Sequence, residues 1–131
     1  MGSYTELIFG AQLKENTPND VIETVKWLLS PNQTSTPLFP ESWKQTRISW
    51  MFKSGGSYYF GAQSGNSYFT FDEISKSWRL SARFNIKNYD GEIEKFLEWI
   101  KPWIEQGSGN REFYAIVTTE DGEPKFYHLN E

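Results

Sequence analysis

Side chains that commonly do chemistry are scarce in this chain of 131 residues. It has no cysteine and one histidine, His128. Without a thiol there is no thiolate nucleophile, no cysteine-based zinc site and no redox switch. His128 stands near the end of the sequence among Phe126, Tyr127 and Leu129, the setting of an ordinary strand residue. No serine sits in a Gly-x-Ser-x-Gly elbow. Zinc favours nitrogen and sulfur ligands, and one histidine cannot supply them. The acidic pairs Asp72-Glu73 and Glu120-Asp121 fall at turns, without the alternating oxygen ligands of a calcium loop. The glycines at 55–56 and at 107 and 109 lack the spacing of phosphate-binding loops and do not lead from a strand into a helix. The expectation is no catalytic residue, no metal and no cofactor.

Two groups of residues remain as candidate binding sites. The first is a basic stripe. Arg79, Arg83 and Lys87 recur every fourth residue of a strand, which places them about 13 Å apart on one side. Ser81 and Asn85 fill the gaps, and Lys53 joins from a neighbouring strand. Such a stripe suits a carboxylate, a phosphate or an acidic protein surface. Trp50 and Tyr59 would stack on a ligand held there. The ordinary alternative is a solvated strand face whose cations pair with nearby carboxylates. The second group is aromatic. Trp27, Trp99 and Trp103 lie beside the main apolar stripes of two helices and would form a partner or dimer surface if they cluster. Packing beneath a long loop is the ordinary alternative.

The elements that position these residues follow from periodicity. Residues 4–14 alternate, with Leu7, Phe9, Ala11 and Leu13 on one face and Glu6, Ile8, Gly10, Gln12 and Lys14 on the other. Thr17, as N-cap, and Pro18 open a helix to Leu29, whose stripe is Val21, Ile22, Val25, Leu28 and Leu29. Residues 30–46 read as a proline-rich loop that packs back through Leu38, Phe39 and Trp43. Residues 47–53 alternate Ile48, Trp50 and Phe52 against Ser49, Met51 and Lys53 and are predicted as a strand. Strands at 58–63 and 68–71 follow. The clearest strand is 78–87, with Trp78, Leu80, Ala82, Phe84 and Ile86 facing one way. A second helix starts near Asp90, with Ile93, Phe96, Leu97, Ile100 and Ile104 on one side, and Pro102 kinks it or begins a separate last turn. A hairpin of 112–119 and 124–129 ends the order β-α-β-β-β-β-α-β-β.

The predicted class is α+β: a largely antiparallel sheet of six to seven strands with two helices on one face, in a single domain spanning residues 1–131. Strand, helix and hairpin recur, and Ala11/Ala82, Ile22/Ile93, Glu23/Glu94 and Pro31/Pro102 align at one shift, a pattern consistent with a βαββ duplication.

Composition narrows the partner. Six Trp, seven Tyr and ten Phe make 18% of the chain, enough for an aromatic core with rings to spare for a surface. The net charge of −4 argues against duplex nucleic acid. No apolar run approaches the ~20 residues that span a membrane. The first residues lack the basic and apolar regions of a secretion signal, and Glu6 stands where a myristoylation signal wants Ser or Thr. The expected location is the cytoplasm.

The run from Ser81 to Trp103, with Tyr4 to Gly10 and Phe113 to Thr119, resembles a small uncharacterised bacterial or phage protein family. The resemblance implies a bacterial or mobile-element setting and supplies no catalytic residues. The favoured function is a non-enzymatic protein-binding module, either an antagonist or immunity-type factor or a homodimer. The alternatives are a small anionic-ligand-binding domain using the uncovered sheet face and a carboxylate-dependent hydrolase.

Overall fold

The computed structural model describes residues 4–30, 33, 40–44, 46–54, 67–105, 113–120 and 122–129. In chain order these form β1 (Tyr4–Gln12), α1 (Asn19–Leu29), a 3₁₀ turn (Glu41–Trp43), α2 (Ile48–Met51), β2 (Ser67–Asp72) and β3 (Ser77–Lys87). There follow α3 (Glu92–Ile100), a second 3₁₀ turn (Lys101–Trp103), β4 (Phe113–Thr119) and β5 (Lys125–His128). The strands make one sheet in the order β2-β3-β1-β4-β5, and every neighbouring pair is antiparallel. The α+β class and the antiparallel sheet are as expected. The count is not: among the described residues there are five strands, not six to seven, and three α-helices, not two. The expected strand at 58–63 lies outside the described residues.

The main correction is at 47–53, where the expected strand is a helix. Ile48, Met51 and Phe52 are buried while Trp50 is exposed. That spacing of three and four is helical; a strand would have buried Trp50 and turned Met51 outward. Its buried side packs on the core. The Phe52 ring meets Phe84 of β3 at 5.0 Å and Phe96 of α3 at 4.9 Å between centroids, both edge-on. With a helix after α1 in place of a strand, the two halves do not share a βαββ order among the described residues.

The central ladder joins β1 to β3. Leu7 faces Phe84, Phe9 faces Ala82 and Ala11 faces Leu80. Strand side chains alternate between faces, so these residues all point to one side, the core. Ala115 and Val117 extend it on β4. A register irregularity between Phe113 and Ala115 accompanies an edge-on contact of Tyr114 with Phe9 at 6.1 Å. Helices α1 and α3 cover this face with Val21, Val25 and Leu28 and with Ile93, Phe96, Leu97 and Ile100. Complete burial of a Leu, Ile or Phe side chain stabilises by roughly 1.5–3 kcal/mol before chain entropy is counted.

Local chemistry sets the helix ends. Thr17 does not cap α1; its hydroxyl donates to the Lys14 carbonyl at 2.6 Å, and α1 begins after Pro18. Gly91 precedes α3 with φ of 65°, a backbone region that favours glycine. The Asn88 side-chain carbonyl accepts the Ile93 N–H at 3.0 Å. Pro102 sits within the separate 3₁₀ turn that ends α3, one of the two outcomes anticipated for it. Among the described residues, no helix is long and apolar enough to cross a membrane.

Candidate functional site

The sheet face opposite the helices carries the stripe Arg79, Arg83 and Lys87 on β3. Its neighbours there are Glu6, Ile8, Gly10 and Gln12 on β1, which face Asn85, Arg83, Ser81 and Arg79 across the ladder. Tyr68 on β2 faces Ser81, and Thr70 faces Arg79.

Each cation on this face already has a partner. Arg83 Nε donates to Glu6 Oε2 at 3.1 Å, and the Glu6 side chain is largely buried. Arg79 lies 3.2 Å from Asp72. Lys87 Nζ is 5.5 Å from the centre of the Tyr4 ring. The Ile74 backbone N–H, donating to Asp72 at 3.0 Å, is the first cause holding the Asp72 carboxyl below its usual range. A hydrogen bond from the Ser75 side chain and the charge of Arg79 act in the same direction. The stripe is therefore laced with acid and close to neutral.

The other residues expected beside it stand elsewhere. Trp50 is exposed on α2, which packs on the helix side of the sheet. Lys53 is on that side too. Its ammonium donates to the Ser30 carbonyl at 2.8 Å, where a positive charge meets the C-terminal end of α1. Partial burial lowers the Lys53 pKa from its ordinary value. Tyr59 lies outside the described residues.

The tryptophans are half-buried against the core. Trp99 on α3 meets Trp43 of the first 3₁₀ turn edge-on at 4.9 Å and lies 6.0 Å from Phe96. Trp43 is buried, so this part of the 30–46 segment packs back on the body as expected; Leu38 and Phe39 lie outside the described residues. The Trp27 carbonyl accepts a hydrogen bond from Gln33 Nε2 at 3.1 Å. The same Gln33 amide also donates to the Ser49 carbonyl, bridging α1 to α2.

A feature not anticipated as a site is an apolar row on the polar face. Ile8 faces Arg83 on one side and Ile116 on the other, and Ile116 faces Phe126. Ile8 is 38% exposed and Phe126 47%. Tyr68, 63% exposed, lies one row away. The available signal was Ile8 itself, an apolar residue among Glu6, Gly10 and Gln12. Its continuation onto β4 and β5 depends on register. Next to Ile8, Gly10 is exposed, and a Cβ added there would meet nothing within 4 Å.

A separate groove of about 740 Å³ at the end of β1 is lined by residues that include Lys14, Glu98, Lys101, Pro102, Glu105 and Leu129. Among the described residues its four charges form no ion pair with one another. Among the described residues there is also no group of three or more His, Cys, Asp or Glu that could hold a metal. Compared with models of known protein families, with curated proteins and with solved structures, the chain matches none.

Proposed function

We propose that this chain is a non-catalytic protein-binding module that engages its partner through the sheet face opposite the helices. The observation that carries this reading is the apolar row Ile8, Ile116 and Phe126, aligned in register across three strands and exposed at Ile8 and Phe126. Protein interfaces combine an apolar centre with a polar rim and are enriched in Tyr, Phe and Arg. Here the row is the centre, and Tyr68 with the Arg83–Glu6 and Arg79–Asp72 pairs is the rim. A small anion is less well served, because Arg79 and Arg83 would have to release their own carboxylates to hold it. The stacking partner foreseen for it, Trp50, is on the helix side of the sheet.

The test is retention of a protein from bacterial lysate by three immobilised baits: wild type, the double variant Ile8→Thr with Phe126→Ser, and Trp50→Ala as control. Circular dichroism first verifies that all three are folded. A partner kept by wild type and the control but lost by the double variant supports the reading. A partner kept equally by all three places binding elsewhere and removes it.

A further inference from the structure

We propose that the groove at the end of β1 binds an extended peptide segment that carries a basic, an apolar and an acidic side chain. The groove shares no residue with the row Ile8, Ile116 and Phe126, so this is a second site, beyond the binding reading given for that face.

Backbone pairing frames the groove. Leu13 and Ile104 form an isolated antiparallel bridge. The Lys14 N–H donates to the Trp103 carbonyl and the Glu105 N–H to the Gln12 carbonyl, both at 2.8 Å. The residues that follow α3 are thereby clamped to the end of β1 before any ligand arrives, which lowers the entropic cost of binding one. These two backbone donors are already used, so Lys14 and Glu105 meet a ligand with their side chains.

The groove gathers charges of a kind that the chain pairs elsewhere. Among the described residues, every Lys and Arg side chain except Lys14, Lys95 and Lys101 meets a carboxylate, a carbonyl oxygen or an aromatic ring. Two of those three line this groove, together with Glu98 and Glu105. Glu23 and Lys26, Glu41 and Lys44, and Glu73 and Lys76 stand three residues apart and close to 2.7–3.3 Å. Glu98 and Lys101 have the same spacing and form no such pair. Charges of both signs are left for an incoming molecule, and electrostatic complementarity selects one that also carries both. A polyanion would face Glu98 and Glu105, and a polycation would face Lys14 and Lys101.

Shape favours an extended occupant. At about 740 Å³ the groove is within the range of sites for drug-sized molecules, and Pro102, Ile104 and Leu129 give it an apolar lining. A second hollow of about 640 Å³ shares Lys14 and Glu105 with it and adds Glu15 and Asn16. Two hollows that meet at the same pair of side chains suit a stretch of chain better than a compact metabolite. Lys14, Glu98 and Glu105 are exposed, so each pairing is weak, and a dissociation constant of about 1 mM is expected for a short peptide.

Nitrogen-15 NMR titration of the full chain tests the proposal. The probes are acetyl-Lys-Ala-Leu-Glu-amide and its reverse-order form acetyl-Glu-Leu-Ala-Lys-amide. The same-sign controls carry Lys at both ends or Glu at both ends. At least one mixed-charge peptide should shift the amides of Lys14 and of Lys101 to Glu105 saturably, and both controls should bind at least fivefold more weakly. Lys14→Glu and Glu105→Lys should each weaken that peptide about fivefold or more. The double variant Ile8→Thr with Phe126→Ser should bind it as wild type does, so loss of the sheet-face reading leaves this result intact. Absence of saturable shifts with either mixed-charge peptide up to about 10 mM overturns the proposal. So do equal responses to all four peptides, shifts confined to other parts of the chain, or an affinity that neither charge reversal moves.

Discussion

The Arg47 guanidinium lies 3.1 Å from Oε2 of Glu92, a carboxylate with no exposed surface. The same oxygen accepts the Arg47 backbone N–H at 3.2 Å, and Oε1 accepts the Asp90 N–H at 3.1 Å. Arg47 also reaches the Lys87 carbonyl at 3.4 Å and stacks over Tyr89 at 4.9 Å. One buried carboxylate thus ties the residue preceding α2 to the start of α3. Removing either partner of such a pair strands the other. Glu92→Ala and Arg47→Ala should each destabilise by about 2–4 kcal/mol in urea unfolding, the lower end reflecting the partial exposure of Arg47. Arg47→Lys should recover only part, because an ammonium lacks the planar fork that spans Glu92 and the Lys87 carbonyl. Losses below about 1 kcal/mol for both alanine variants would show that this pair does not secure α2.

Trp43 and Trp99 hold the first 3₁₀ turn against α3. Trp43→Ala should cost about 3–5 kcal/mol, as for other buried tryptophans, and Trp99→Ala less because it is only half-buried. A double-mutant cycle should return a coupling of roughly 0.5–1.5 kcal/mol for the edge-on ring pair. Additive losses would mean that the rings are neighbours without mutual stabilisation.

Asp72 supplies a pH dependence of known sign. Its carboxyl titrates below the ordinary aspartate value in the folded chain. The stability that this contributes is present above the unfolded-state pKa of about 3.9 and is lost as pH falls through the lower folded-state value. Asp72→Asn should therefore flatten the acid limb of a stability–pH curve below about pH 4 and leave its shape near pH 7 unchanged. An unchanged acid limb would assign acid unfolding to other carboxylates.

Arg83 separates the structural role from an anion-binding one. Arg83→Ala leaves the largely buried Glu6 carboxylate without its guanidinium and should cost about 1–3 kcal/mol. Inorganic phosphate, compared with chloride at equal ionic strength, should not raise the melting temperature of wild type. A rise of several degrees that Arg83→Ala abolishes would restore the anionic-ligand reading.

Gly10→Val removes the conformational cost of glycine from a strand and adds a β-branched side chain where there is space. The chain should gain about 0.5–1 kcal/mol, measured by denaturant unfolding. A loss would mean that the strand needs glycine at this position for its own backbone.

The sequence by itself determined the elements whose period runs long enough to be unambiguous. Strands β1 and β3 alternate over nine and eleven residues, and α1 and α3 repeat their apolar stripes through two or more turns. The α+β class, the helix-covered face and the placing of Arg79, Arg83 and Lys87 on the opposite face all follow from those periods. Only the tertiary structure decided α2. Across five residues, Ile48 and Phe52 share a side in a strand and in a helix alike; what separates the two is that Met51 is buried and Trp50 exposed, which the local residue pattern does not mark. Register likewise decided the character of the candidate site. Glu6 neutralises Arg83 from 77 residues away, and Ile116 and Phe126 continue the row begun by Ile8 because three antiparallel strands meet in one alignment. Alternation tells which face a side chain occupies, but its neighbour across the sheet depends on how strands slide along one another. That position is set by burial of the opposite face, since a shift of one residue would turn the core outward.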